Sequence, residues 1–475
     1  MSSRPNVVFI LSDDHGYADR SILGLDDAVR TPNLDRLARS GVSCSDAYVT
    51  APICSPSRAG VISGQYQQRW GARWFDSSSF GYATTTLAER FVEQGYATGY
   101  VGKVHYGRED NGDRACPPNH GFADSFYGLA GKQMGRLNYL RHSKRAVAEY
   151  GPEASWRMAV LPMLEGNQEV EFEAPQHGSA SLTEEFGRRA RDFVGEHQDE
   201  PFFLMLAFNA VHNFTFQLPD DQLADRGLPK LADWDESAEA YADWYDRSIR
   251  PNLEHGREYY LAQLEIMDAQ IGLLLDELER RGLAEDTIVV YSTDNGGSTC
   301  NFGVNAPLRG TKYTMDEGGI RVPFLVRWPN GGIDGGRTYR GLTSTLDLYP
   351  SLLSAIGAPA ESYAASDGID QLSGWRGETE QGHSVLHWDT GFQWAVREGD
   401  WKLSYLEEGP NARALRRVEH VTMEAGYRLT NLAEDIGEST DLSERHPETT
   451  RRLRDLHDRW NREMLTAAGH PHGPQ

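Results

Sequence analysis

Three apolar runs of strand length constrain this chain most. They are Asn6-Val-Val-Phe-Ile-Leu-Ser12, Pro201-Phe-Phe-Leu-Met-Leu-Ala207 and Thr287-Ile-Val-Val-Tyr-Ser-Thr293. Near-continuous apolar strands of this kind need cover on both faces, which parallel sheets sandwiched by helices provide. Helix patterns alternate with them, so the chain reads as α/β, a large central mixed β-sheet flanked by helices. At 475 residues it is too long for one ordinary core, and length alone suggests about two or three domains.

The helices announce themselves by their ends. Thr31-Pro-Asn-Leu-Asp-Arg-Leu-Ala-Arg-Ser-Gly41 has proline at its start and glycine at its stop. Thr86 to Gln94 is a second, with Leu87, Phe91 and Val92 on one side. Residues 256–281 form the longest, with Leu261, Leu264, Met267, Ile271, Leu274, Leu275 and Leu278 as an apolar stripe. A further helix around 347–357 closes a large unit over 1–365. The run 358–382, rich in Gly, Ala, Ser and acids, reads as a linker. Beyond it, Val385-Leu-His-Trp388, Gln393-Trp-Ala-Val-Arg397 and Trp401-Lys-Leu-Ser-Tyr405 read as antiparallel strands. With a final helix from about Thr449 to Ala467 they make a smaller C-terminal unit over 366–475. The polar stretches 108–180 and 213–255 read as loops and insertions over a site rim.

Chemistry gathers where the strands stop. The first ends at Asp13-Asp14 and the third at Asp294-Asn295-Gly-Gly297. In open α/β sheets ligands bind beyond the carboxyl ends of strands. One Asp there is explained by a helix cap, and Asn-Gly by a hairpin turn. Two crowded acids facing a second oxygen-rich strand end are better explained by a divalent cation that relieves their repulsion. Four oxygen donors favour Ca2+ or Mg2+ over zinc. Gly102-Lys103-Val-His105 follows another short strand, whose period of two puts Lys103 and His105 on one face. The Pro201 strand runs on to His212, and Lys312 stands in Pro307-Leu-Arg-Gly-Thr-Lys312-Tyr. Cys54-Ser-Pro-Ser-Arg58 lies at a strand-to-helix turn, where a lone cysteine is ordinarily a buried, inert thiol.

Taken together and in order, these segments resemble the type I sulfatases of the alkaline-phosphatase-like superfamily, from Asn6 to the C-terminal Leu-Arg-Asp-Leu-His stretch. Glu317-Gly-Gly-Ile-Arg-Val-Pro323 is among the more specific matches. Val211 and Ser63 depart from the family pattern, which has proline before the histidine and Thr, Ala or Arg before Gly64. The resemblance implies hydrolysis of a sulfate monoester by a formylglycine made from Cys54. It places Asp13, Asp14, Cys54, Asp294 and Asn295 at the metal and Arg58 as the residue that braces them. Lys103 and Lys312 would bind sulfate oxygens, and His212 would protonate the leaving oxygen. His105 would accept the proton whose loss expels sulfate. A maturase that reads Cys-x-Pro-Ser-Arg on the nascent chain is implied as a partner. The alternatives are a phosphonate or phosphate monoester hydrolase of the same superfamily, a non-enzymatic sulfate-binding relative, and a protein whose Cys54 is never converted.

Charge narrows the partners. The chain has 47 basic and 70 acidic residues, a formal net charge of −23. Nucleic acid requires a basic footprint and is excluded on that ground. A negative surface also does not steer polyanions, which favours small sulfate esters or short saccharides and leaves oligomeric state open. No apolar run approaches the ~18 residues of a membrane span. The sequence enters its first strand with no leader, and four cysteines make no disulfide framework. Both features give a cytoplasmic expectation, with export as the alternative if a leader has been trimmed from the sequence. Trp70, Trp74, Phe75, Trp234, Trp244, Tyr245, Trp388, Phe392 and Trp394 are candidate rim aromatics.

Overall fold

Ten strands form one mixed sheet. In spatial order they are Arg337–Tyr339, Val42–Cys44, Phe324–Arg327, Thr287–Thr293, Asn6–Ser12, Phe202–Ala207, Ala97–Val104, Asp124–Leu129, Leu164–Glu165 and Gln168–Glu169. The computed structural model describes residues 4–74, 81, 83–108, 110–130, 163–170, 181–212, 215–231, 238, 243, 253–419 and 421–467. At the centre of the sheet, four strands from distant parts of the chain run parallel, with Asn6–Ser12 between Thr287–Thr293 and Phe202–Ala207. Their registers align the carboxyl ends: Ser12 lies beside Thr293, Leu11 beside Ala207, and Ala207 beside Gly102. Gly102 (φ +125°) is required at that edge, because a Cβ there would sit 1.8 Å from the Ala207 carbonyl oxygen.

Alternation along the central strand divides the core. Val7, Phe9 and Leu11 join one apolar cluster with Ala59, Ile62, Leu87, Phe91, Leu348 and Leu352. Val8 and Ile10 join the other with Leu34, Leu37, Phe186, Leu264, Met267 and Leu274. The sheet is therefore covered by the helices Cys54–Ser63, Leu87–Glu93 and Leu348–Ala355 on one face, and by Pro32–Ser40, Leu182–Glu196 and Gly256–Arg280 on the other. Each large side chain fully buried in this way contributes about 1.5–3 kcal/mol. The stripe expected on the longest helix, Leu261 to Leu278, is buried throughout. Thr86 closes a reciprocal capping box with Glu89 at the start of Leu87–Glu93. Val92, expected on the apolar side of that helix, is instead 48% exposed.

A second sheet of four antiparallel strands follows, Val385–Asp389, Gln393–Glu398, Trp401–Leu406 and Gly426–Asn431. Leu453 of the last helix, Pro447–Ala467, packs on Val396, Leu403 and Leu429. The fourth strand and the helix Pro410–Glu419 were not evident in the sequence. On the opposite face, Leu386, Trp388 and Ala395 pack on Tyr48, Val49, Ile320 and Leu342 of the first unit. Buried charges join the units as well: the Lys402 ammonium lies 2.9 Å from Glu317 and 3.0 Å from Glu438.

Several expectations are corrected here. The stretch 358–382 is not a free linker: Leu372 and Trp375 enter the main core, and Trp375 lies against Phe324. Its polar composition hid two buried anchors. The stretch 108–180 is not loop throughout, since it supplies three strands of the main sheet. Trp388 belongs to the core and not to a rim, with Nε1 donating to the Val49 carbonyl at 2.6 Å. Trp394 stacks on His457, 4.2 Å between ring centroids. Phe75, Trp234, Trp244 and Tyr245 lie outside the described residues, as do 213–214, 232–237, 239–242 and 244–252, and the stretch 213–255 is not loop throughout, since Asp220–Arg226 is a helix.

A pH dependence follows from the C-terminal packing. His387 stacks on Trp460, and burial, with His457 and Arg459 nearby, lowers its pKa to about 3. The folded state thus holds this ring neutral, while the unfolded chain protonates it below about pH 6.5. Stability from this group is complete above that value and is lost as the pH falls toward the folded pKa. His387→Phe keeps the ring stack and removes the titration. Its melting temperature is expected to fall less than that of the wild type between pH 7 and pH 4. An identical acid loss in both proteins would refute this assignment.

Candidate active site

The aligned strand ends bring the sequence-predicted residues together. Asp13 and Asp14 leave the central strand, Asp294 and Asn295 leave its neighbour on one side, and His212 follows its neighbour on the other. Lys103 is the penultimate residue of Ala97–Val104, and His105 follows that strand. Cys54 is the first residue of the helix Cys54–Ser63, which places Arg58 one turn further in. One ligand atom from each of Asp13, Asp14, Cys54 and His212 falls within 4.8 Å of the others. Asp14 adopts φ +57°, a left-handed conformation that Asp tolerates better than most residues and that recurs at functional sites.

Cations surround the acids. Arg58 is fully buried and donates from Nε to Asp294 Oδ2 at 2.7 Å and from Nη1 to the Lys103 carbonyl at 3.1 Å. Its Nη2 lies 3.4 Å from Asp13 Oδ2, which also accepts from Lys103 Nζ. Lys312 Nζ lies 2.8 Å from Asp14 Oδ1 and 2.9 Å from Oδ2. His212 Nε2 is 3.7 Å from Asp14 Oδ2.

The electrostatics follow from burial and crowding. Burial opposes ionisation of Asp13, but Lys103, His212, Arg58 and Lys312 outweigh it and hold this carboxyl far below the usual range. For Asp14, burial and the charges of Asp13 and Asp294 prevail over Lys312 and raise the pKa to about 7. Asp294 is raised as well, by burial and by Asp13. His105 and His212 are driven well below an ordinary histidine, by burial first and then by neighbouring cations, Lys103 for His105 and Lys312 for His212. Burial pushes the Cys54 thiol up to about 12 despite Lys312 and Lys103, so the unmodified side chain is a protonated thiol at neutral pH.

The donors could hold a metal ion. The carboxylates of Asp13 and Asp14 converge with Cys54 and His212, and Asp13 Oδ1 and Asn295 Oδ1 are buried with no hydrogen-bond partner among the described residues. Buried oxygens of that kind call for a partner. Asp294 and Asn295 are not equivalent to the other acids, however. Asp294 Oδ2 is engaged by Arg58, and the Asn295 amide donates to Asp14 Oδ1 at 2.7 Å. Sequence reasoning missed Asn301, which donates from Nδ2 to Asp14 Oδ2 at 2.7 Å and is 2% exposed. It lies in a short 3-10 turn, Thr299–Asn301, and a lone Asn in Gly-Gly-Ser-Thr-Cys-Asn carries no recognisable signal. Beside Lys312, Tyr313 and Trp74 lie 5.9 Å apart, and Trp74 meets Phe392 edge-on at 5.0 Å.

Known proteins are similar to this chain. The Sulfatase family model matches residues 5–358. Arylsulfatase A of Bos taurus is 30% identical, over 93% of this chain and 84% of its own length. Steryl-sulfatase of Homo sapiens is 26% identical, over 83% of this chain and 74% of its own. A crystal structure of Ps i-CgsB in complex with k-i-k-neocarrahexaose superposes with a TM-score of 0.78 at 24% identity, covering 99% of this chain and 94% of that one. The fold is thus alkaline-phosphatase-like. The cytoplasmic expectation is overturned by these comparisons, because arylsulfatase A and steryl-sulfatase are lysosomal or endoplasmic-reticulum proteins. Among the described residues no helix is long and apolar enough to cross a membrane. Matched over three quarters of its length, and carrying the charged strand-end site described above, this chain belongs to the sulfatase family and is a sulfuric ester hydrolase.

Proposed function

We propose that the chain hydrolyses a sulfate monoester of a small molecule or short saccharide, with a formylglycine made from Cys54 by a maturase as its nucleophile. The observation that most supports this reading is the convergence of Cys54, Asp13, Asp14 and His212 within 4.8 Å, ringed by Arg58, Lys103 and Lys312. A thiol held at a pKa of about 12 is a poor nucleophile at neutral pH, which favours its conversion over direct thiolate attack. The hydrated aldehyde would supply a hydroxyl nucleophile, and a hard cation, Ca2+ or Mg2+, would supply Lewis acidity. Asp13, Asp14, Asp294 and Asn295 would hold that cation. Two separate sheets support dividing the chain into a catalytic unit over 1–365 and a C-terminal unit over 366–475.

The protein's own side chains do the remaining work. Arg58 braces Asp13, Asp294 and the Lys103 carbonyl, so the site is preorganised before substrate arrives. Lys103 and Lys312 present ammonium groups to the sulfate oxygens, where charge must be stabilised. Among the described residues the buried His105 Nδ1 has no hydrogen-bond partner, which suits it to accept a proton. His212 delivers a proton to the leaving oxygen. In the free protein its ring is neutral, so an anionic ester beside it must raise its proton affinity for it to act.

This role gives a discriminating expectation. A sugar alkoxide needs a proton to leave and a nitrophenolate hardly does. His212→Ala is therefore expected to lower kcat/KM for a sugar sulfate by about 10²–10⁴-fold and for an activated aryl sulfate far less. Lys312→Ala should slow both alike. Equal losses in His212→Ala would reduce that histidine to a binding role. Parallel assays with phosphate monoesters would expose the alternative activity within the superfamily.

A further inference from the structure

We propose that Glu419 is a positioning residue through which the C-terminal unit sets Lys312 and Asn301 on Asp14. This rests on the reading of Lys312 as a sulfate contact. Glu419 is the last residue of the helix Pro410–Glu419 and is 1% exposed. A carboxylate at a helix C-terminus meets the negative end of the helix dipole, so helix stability does not explain it. Its partners lie in the other unit. Glu419 Oε1 accepts from Ser298 Oγ at 2.9 Å, and Oε2 accepts from the Thr299 backbone N–H at 3.0 Å, Thr299 Oγ1 at 2.7 Å and Thr311 Oγ1 at 3.3 Å. The Glu419 backbone carbonyl also accepts from Thr299 Oγ1, at 2.5 Å.

Both clamped segments lead directly to Asp14. Thr299 opens the turn that ends in Asn301, whose amide donates to Asp14. Thr311 precedes Lys312, whose ammonium reaches both Asp14 oxygens. The two segments are tied to each other through Gly297, whose carbonyl accepts from the Lys312 N–H at 3.1 Å and from Thr311 Oγ1 at 2.8 Å. Gly297 lies two residues beyond Asn295. One carboxylate from the second unit thus fixes the spacing between the Asn295 loop and the Lys312 loop. Without it, Ser298 Oγ loses its acceptor, the Thr299 N–H, Thr299 Oγ1 and Thr311 Oγ1 keep only their other partners, and the two loops lose their common anchor.

The test is a double-mutant cycle with an activated aryl sulfate and with inorganic sulfate as competitive inhibitor. Glu419→Gln keeps the shape but places an amide N–H2 against donors. It is expected to lower kcat/KM about tenfold, mainly through KM, and to weaken inhibition by sulfate by a similar factor, as coupled neighbours do. In the Lys312→Ala background the same change should cost less than about twofold. Ser298→Ala, which removes a hydroxyl held against both Glu419 carboxylate oxygens, should give a smaller loss with the same dependence on Lys312, and covers the case in which Glu419→Gln does not fold. Equal losses in both backgrounds, or no loss in either variant, would overturn the proposal. A wild-type protein that neither turns over the ester nor binds sulfate would instead overturn the reading on which it rests.

Discussion

Cys54→Ala is expected to abolish sulfate-ester turnover, with a fall on the order of 10⁴–10⁶-fold, as losing a covalent nucleophile entails. The fold should survive. Cys54 is the first residue of its helix and a small side chain, and the contacts that hold the region, Arg58 on Asp294 and on the Lys103 carbonyl, do not involve it. Initial rates and thermal melts on the same preparation separate the two effects. Substantial activity in Cys54→Ala would remove this residue from the mechanism.

Removing divalent metal is the second large effect. Exhaustive chelation is expected to abolish activity, and Ca2+ or Mg2+ to restore it better than Zn2+, because the strand-end donors are oxygens. The ion should also stabilise the fold. Asp13, Asp14 and Asp294 are buried together, and Asp14 and Asp294 have pKa values raised by burial and mutual repulsion. A cation that binds the folded state alone adds about 2.7 kcal/mol at a hundredfold excess over its Kd. The melting temperature should therefore rise on adding Ca2+ to chelated protein, and that rise should be lost in Asp294→Ala. An unchanged rate after chelation would refute the assignment of Asp13, Asp14, Asp294 and Asn295 as ligands.

The central strands and the residues that gather at the candidate site were legible in the sequence, for one physical reason. An apolar strand covered on both faces leaves an unmistakable run, and the residues just past it are free to be chemical. That is how Asp13, Asp14, Asp294 and His212 stand out, while Lys103, His105, Lys312, Cys54 and Arg58 emerge only as members of a set of motifs. Short or partly polar elements were not legible. The strands at 124–129, 164–165 and 168–169 join the main sheet from a stretch that reads as loop. Trp375 is a core residue within a segment whose glycines and acids suggest a linker. Asn301 and Glu419 carry no motif, because their roles arise from contacts made across the fold: Asn301 meets an acid 287 residues earlier, and Glu419 meets hydroxyls 108–121 residues earlier.

The most direct measurement is the mass of the Cys54-bearing peptide, taken across preparations of the intact protein made with and without a maturase and compared with their specific activities. The account predicts that activity rises in proportion to the fraction of that peptide whose thiol has become an aldehyde, and vanishes where only thiol is present. Full sulfate-ester turnover by protein carrying only the Cys54 thiol would contradict it.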